Sequence, residues 1–199
     1  MPALVIVLAG PSGSGKSRLA GRLGLPAFSL DDFYRDGDDP GLPRVELSGG
    51  ESIVDWDDPD AWDKQRALDT LERLCDEGCA EVPVYDLRTS RATGQRVLRT
   101  EGRSYVVAEG IFAAEVVADV RERGLLAAAV CVQHHRMVTY ALRLLRDLRE
   151  HRKAPHVLVR RGWRLMRAEP EIVARMAELG CEPMPPRRAE QRLRDLIGT

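Results

Sequence analysis

The chain of 199 residues contains no asparagine, and only three of its 30 basic residues are lysines: Lys16, Lys64 and Lys153. Without asparagine there is no N-glycosylation sequon and no Asn-Lys-x-Asp motif of the kind GTPases normally use to read guanine. No apolar run approaches the ~20 residues needed to span a bilayer. The N-terminus also lacks the basic start and cleavage site of a signal peptide, so a soluble, cytoplasmic protein with no membrane association is expected. There are four cysteines, and none forms part of two pairs at metal spacing. Cys75 and Cys79 sit four apart at the end of a predicted helix. His134 and His135 follow Cys131, but adjacent residues point different ways on a regular element. Free buried thiols in a reducing compartment, rather than a zinc site, are the expectation.

Net charge is also scarce, at -1 overall, which argues against a general nucleic-acid binder. The sum conceals two opposed segments. Asp31–Asp63 carries 12 acidic and 2 basic residues, a net of -10, and Arg136–Arg167 carries 10 basic and 2 acidic, a net of +8. Solvated faces explain such blocks by default. An acidic rim and a basic lid around a phosphate-handling site is the sharper reading, and it requires a phosphate-binding motif.

Ala3–Leu8 is an apolar, β-branched run of the kind that forms a buried parallel strand. Lys16–Leu23 reads as a helix and Ala27–Leu30 as a short second strand. Asp32–Asp55, rich in Asp, Gly and Pro, reads as a long loop. Pro59–Glu77 reads as one helix capped by Asp58, with Pro at its first position. Val82–Tyr85, Gln95–Leu98, Tyr105–Ala108 and Leu126–Val132 are strand candidates. Phe112–Glu122, Met137–Arg152 and Ala189–Ile197 are helical candidates. His156–Leu179 reads as a helix interrupted near Pro170, and Pro183–Pro186 as a break. Strands alternating with helices predict a parallel sheet covered on both faces. No linker divides the chain, so residues 1–199 are expected to form a single domain.

Gly10-Pro-Ser-Gly-Ser-Gly-Lys16-Ser17 fits the pattern G-x-x-x-x-G-K-S/T, with a predicted strand before it and a helix after it. A glycine-rich turn lets backbone N–H groups converge on phosphate oxygens without Cβ interference, and the helix N-terminus adds partial positive charge. Gly10, Ser12, Gly13, Ser14, Gly15, Lys16 and Ser17 are thus candidate ATP-binding residues. Lys16 would reach the β- and γ-phosphates, and the Ser17 hydroxyl would sit on Mg²⁺. A chain that otherwise uses arginine keeps lysine where a compact ammonium is required.

Phosphoryl transfer to a hydroxyl also needs a carboxylate for the acceptor's proton and cations for the transferring group. Asp31 and Asp32 follow the second predicted strand, at the end of a parallel sheet that faces the ligand crevice. Arg143, Arg146, Arg149 and Arg152 recur at helical spacing, as a phosphate-sensing lid would present them.

These residues resemble the uridine kinase family, within the wider group of P-loop kinases that includes phosphoribulokinase and bacterial pantothenate kinase. The resemblance runs from about Leu4 to about Lys153. It comprises the P-loop, Leu30-Asp31-Asp32-Phe33-Tyr34-Arg35, Trp56-Asp57-Asp58-Pro59-Asp60-Ala61-Trp62-Asp63, Val82-Pro83-Val84-Tyr85-Asp86, Glu109-Gly110-Ile111 and Arg143-x-x-Arg146-Asp147. It implies a three-layer αβα P-loop kinase fold with a mainly parallel sheet and a helical lid at about residues 143–160. It also implies Asp31 as catalytic base and Asp57 as the partner of the acceptor's sugar hydroxyls. Tyr34, Trp56 and Tyr85 would wall the base pocket, and Glu109 would hold Mg²⁺ through water. Arg143 would contact the acceptor and Arg146 the ATP phosphates. Homo-oligomers occur within what the resemblance suggests, but no interface is legible in the sequence.

Two departures stand out. The family's pyrimidine-reading His falls on Ser90, and its further lid arginines fall on His151 and Lys153, with Arg152 between them. The expectation is an ATP- and Mg²⁺-dependent kinase of a small-molecule hydroxyl, the 5′-hydroxyl of a nucleoside such as uridine or cytidine first. A kinase of pantothenate, a sugar or another metabolite is the alternative, and a non-catalytic ATP-binding regulator is a third reading. Nucleic-acid binding through Arg160–Arg167 lacks an aromatic platform beyond Trp163.

Overall fold

A computed structural model describes residues 2–46, 50, 52–134, 137–138, 140–141, 144–145 and 155–198, of which 155–165 by backbone alone. In chain order its elements are β1 (Leu4–Ala9), α1 (Lys16–Leu23), β2 (Ala27–Ser29), β3 (Arg44–Glu46), β4 (Ser52–Val54), α2 (Lys64–Glu77), β5 (Cys79–Asp86), β6 (Arg91–Arg99), β7 (Tyr105–Glu109), α3 (Val117–Glu122), β8 (Leu126–Val132), α4 (Pro155–Glu178), β9 (Glu182–Met184) and α5 (Pro186–Ile197). Short 3-10 turns cover Leu30–Phe33, Pro59–Ala61 and Ala113–Val116. Among the described residues no helix is long and apolar enough to cross a membrane.

Five strands form one sheet in the order β2-β7-β1-β8-β9, and every pairing is parallel. Side chains alternate across a strand, so the apolar run of β1 feeds two cores. Val5, Val7 and Ala9 join Leu71 and Leu74 of α2, Val117 and Val120 of α3 and Met176 of α4. Ile6 and Leu8 join Leu19 and Ala20 of α1 and Ala189 and Leu193 of α5 on the opposite face. The result is the expected α/β arrangement, three layers with helices on both faces of a parallel sheet.

Two antiparallel hairpins lie outside this sheet. β3 pairs with β4 within the stretch expected to be a bare loop. β5 pairs with β6 along nearly its whole length and packs Ala80 and Val82 onto the α2 side of the core.

Several local expectations are corrected. The helix expected from Pro59 begins at Lys64 instead. Asp58 caps only the short turn, its carboxylate accepting from the Asp60 N–H at 2.8 Å. Asp63 is the true N-cap of α2, accepting from the Arg66 N–H at 3.0 Å. Trp62 between them is extended because it is buried, its ring stacked on Phe112 with centroids 5.4 Å apart. Tertiary burial here overrides local helix propensity.

The second strand stops at Ser29, and Leu30 already belongs to the turn that carries Asp31. The Phe112–Glu122 segment opens as a 3-10 turn before becoming α3. The helix α4 runs through Pro170 without interruption, since one missing N–H is offset by burial of Met166 and Met176 on either side. Pro183 lies in β9, at a sheet edge where a proline's missing N–H is tolerated. Most of Met137–Arg152, with Arg143 and Arg146, lies outside the described residues.

Leu71 is 1% exposed in the α2 core, whereas Val97 on β6 is 53% exposed. Leu71→Ala is expected to lower unfolding stability by about 2–5 kcal/mol in urea titrations, and Val97→Ala by no more than ~0.5 kcal/mol. Equal losses at the two positions would contradict this division between core and exposed hairpin.

Candidate active site at the C-terminal edge of the sheet

The register of three neighbouring strands assembles the site. Glu109, the last residue of β7, lies opposite Leu8 of β1 and Ser29 of β2. The chain therefore leaves β1 into the P-loop, β2 into the Asp31 turn and β7 into Gly110-Ile111 at one level. That level is the crevice where parallel α/β sheets bind ligands.

The P-loop wraps from β1 to the start of α1. Gly10, Gly13 and Gly15 have φ of 145°, 85° and 91°, in the region that favours glycine. A Cβ at Gly10 would also run into the Val132 carbonyl. Gly15 is the N-cap of α1, whose first turn holds no acidic residue. Lys16 is buried, and its Nζ donates to the Gly10 carbonyl at 2.7 Å and to the Pro11 carbonyl at 3.3 Å. The Ser14 hydroxyl is fully buried and has no hydrogen-bond partner among the described residues. A Cβ-free cradle, a buried ammonium and an orphaned hydroxyl fit a polyanionic phosphate group.

Ser17 Oγ donates to Glu109 Oε1 at 2.9 Å. A hydroxyl and a carboxylate at the edge of a phosphate cradle are the hard oxygen donors that Mg²⁺ takes, with water and phosphate completing its shell. The residues thus fit both ATP and its cation.

Asp31 sits across the crevice, half-buried in the turn after β2. Its Oδ1 accepts from the Ile111 N–H at 3.0 Å. Burial raises its pKa above the ordinary carboxylate value, and Glu109 and Asp32 push the same way, while the Ile111 N–H and Lys16 oppose the rise. Asp32 is also raised by burial, against the pull of Arg96, whose guanidinium stands 3.5 Å away. A carboxylate with a raised pKa, fixed by a backbone N–H, is suited to accept a proton near neutral pH.

The aromatic residues expected to wall a pocket come together beside Asp31. The Tyr34 ring lies 5.6 Å from Trp56, 5.6 Å from Tyr85 and 5.8 Å from Phe112. Its hydroxyl donates to the Trp56 carbonyl at 3.0 Å. Burial, with the charges of Asp31 and Asp57, pushes the Tyr34 phenol well above its usual range. Asp57 is exposed at the rim, and its N–H donates to Asp55.

Tyr85 donates to the Arg35 carbonyl at 2.9 Å, and burial pushes its phenol up to about 12. Ser90 stands at the hairpin tip with φ 52°. Its carbonyl accepts from the Gly37 N–H at 2.7 Å. The Ala92 N–H donates to Asp36 at 2.8 Å, and Arg91 pairs with Asp38 at 2.6 Å. The β5–β6 hairpin and the 35–39 loop are thereby latched together. Residue-type reasoning missed this latch, Arg96 at Asp32 and Phe112 in the aromatic group. The latch has no motif, although the expected strand Gln95–Leu98 lay beside it.

No family model matches the chain. A uridine kinase of Lactobacillus johnsonii is 26% identical over 155 residues, covering 74% of this chain and 69% of that protein. A uridine kinase of Clostridium botulinum is 29% identical over 154 residues, covering 74% and 70%. Among solved structures, a protein described as a fructose transport system kinase from Silicibacter sp. TM1040 shares the fold. Its TM-score is 0.62 at 19% identity, over 87% of this chain and 85% of that one.

Removing the Tyr85 hydroxyl tests the latch. Tyr85→Phe is expected to lose about 1 kcal/mol of stability and to speed amide exchange at Gly37 and Ala92 while leaving Val107 unchanged. Unaltered exchange at Gly37 and Ala92 would show that Tyr85 does not hold the loop.

Proposed function

The chain is similar to bacterial uridine kinases over three-quarters of its length, and on that basis we propose that it is an ATP-dependent small-molecule kinase, transferring the γ-phosphoryl group to an acceptor hydroxyl. The observation that carries the proposal is the meeting of the P-loop, the Ser17–Glu109 pair and the N–H-held Asp31 at one sheet edge. The 5′-hydroxyl of a nucleoside is the acceptor that the resemblance favours.

In this reading the P-loop N–H groups and Lys16 hold the phosphates of ATP and offset the charge spread over the transferring group. Asp31 orients the acceptor hydroxyl in line and takes its proton as the oxygen bonds to the γ-phosphorus. The bond from that phosphorus to the β–γ bridging oxygen breaks, and ADP leaves. Ser17 and, through water, Glu109 would hold Mg²⁺, which supplies Lewis-acid neutralisation of the phosphate oxygens when bound. Tyr34, Trp56 and Tyr85 flank the acceptor, Asp57 binds its hydroxyls, Arg143 contacts the acceptor and Arg146 the ATP phosphates.

A second reading keeps this chemistry and changes the acceptor. Ser90 stands where the family places a base-reading His, and its carbonyl is taken up by the Gly37 N–H. A sugar or pantothenate is the alternative acceptor on this ground. A purely regulatory ATP-binding role is disfavoured by Asp31, because a sensor needs no proton acceptor.

Asp31→Asn is expected to lower acceptor-dependent ADP release by ~100-fold or more while ATP still binds. Wild-type-like turnover in that variant would remove Asp31 from the role. In the wild type, protonating Asp31 destroys the base, so turnover should fall as pH falls through its pKa. Because that pKa is raised, the acid limb should lie above the range of an exposed aspartate; a limb at or below that range would contradict it. A panel of uridine, cytidine, pantothenate and sugars in a coupled ADP assay decides the acceptor, and activity with none of the nucleosides would sink the first version.

A further inference from the structure

The chain spends many of its glycines on left-handed backbone, and among the described residues ten of them have positive φ. Gly110 is not among them, so its backbone conformation does not call for glycine. Space does. An ideal Cβ at Gly110 would lie 2.6 Å from Asp31 Oδ1 and 3.0 Å from Leu30 Cβ. Real side chains essentially never approach that closely, so any larger residue must displace the Asp31 carboxylate or the turn that carries it.

The next residue holds the same carboxylate from the other direction, through the Ile111 N–H at 3.0 Å. The preceding residue, Glu109, accepts from Ser17 on the phosphate side of the crevice. Behind these three residues stands β7, whose Val106, Val107 and Ala108 are fully buried between β1 and β2. Buried strands of this kind move little, and a carboxylate pressed against such a backbone inherits its rigidity.

We infer that Gly110-Ile111 is the positioning device of the reaction: the bare Cα of Gly110 lets Asp31 seat against the backbone, and the Ile111 N–H fixes Oδ1. Oδ2 is then the oxygen left to receive the acceptor's proton. The inference rests on the proposal that Asp31 is the proton acceptor. It adds that the distance from this base to the phosphate cradle is set by one stretch of β7, not by the Asp31 turn alone. Gly110 and Ile111 are positioning residues, since they act through Asp31.

Two measurements test it. In Gly110→Ala, kcat for acceptor phosphorylation is expected to fall by at least about tenfold, because a displacement near 1 Å at a reacting group costs up to about 100-fold. KM for ATP should stay within about twofold, because the P-loop is untouched. A merely structural glycine would lower the melting temperature and disturb ATP binding and turnover together, and that pattern, or a kcat within about threefold of wild type, would overturn the inference.

The second measurement does not depend on the stability of Gly110→Ala. In Asp31→Ala the Ile111 amide loses its acceptor, so its hydrogen exchange should accelerate about tenfold while Val107 stays unchanged. Unchanged exchange at Ile111 would equally overturn the inference. The underlying reading fails separately: if Asp31→Asn keeps wild-type turnover, the base is elsewhere, whatever Gly110→Ala does.

Discussion

The parallel register that sets Glu109 level with both Leu8 and Ser29 is the constraint on which the site depends. Hydrogen bonds along a buried parallel ladder cannot slip by one residue without turning every apolar side chain of the strand to the wrong face. In β1 such a slip would exchange the Val5–Val7–Ala9 and Ile6–Leu8 sets between two already filled cores. The same forces that pack the interior therefore hold three chain exits level. The P-loop, the Ser17–Glu109 pair and the half-buried Asp31 carboxylate are thereby brought to one edge of the sheet.

Much of this was legible in the residues, for physical reasons that differ by element. The P-loop declares itself because its glycines are required by local backbone angles, which a single sequence encodes directly. The central strands declare themselves by apolar runs too short for a helix. What stayed hidden depended on distant partners. Asp58 and Asp63 are both competent caps, and only the burial of Trp62 against Phe112 decides where the helix begins. Pro183 reads as a breaker until it is known to lie at a sheet edge. The N–H of Ile111 has no residue-type signature at all, since every residue but proline has one.

The acidic segment also acquires a different meaning. A net charge of -10 between Asp31 and Asp63 suggested an acidic rim. Most of those carboxylates have local employment instead. Asp58 and Asp63 cap a turn and a helix, and Asp39 and Asp55 accept backbone N–H bonds within their own loops. Asp36 and Asp38 latch the hairpin, and Asp32 faces Arg96. Short acidic side chains are favoured at such positions because they satisfy nearby backbone donors. Asp31 differs from these neighbours in reaching across to another strand's exit.

The hairpin of β5 and β6 carries Tyr85 to the aromatic group, yet it hangs outside the central sheet and exposes most of β6. One wall of the crevice is thus attached to the rest by a hydrophobic footing on α2 and a handful of polar ties to the 35–39 loop. Mutation can recut that wall, by lengthening the tip or exchanging the residue at position 90, without disturbing a single contact of the β1–β7–β8 ladder. Such a division leaves the shape of this hairpin open to change under selection while the central sheet stays constant.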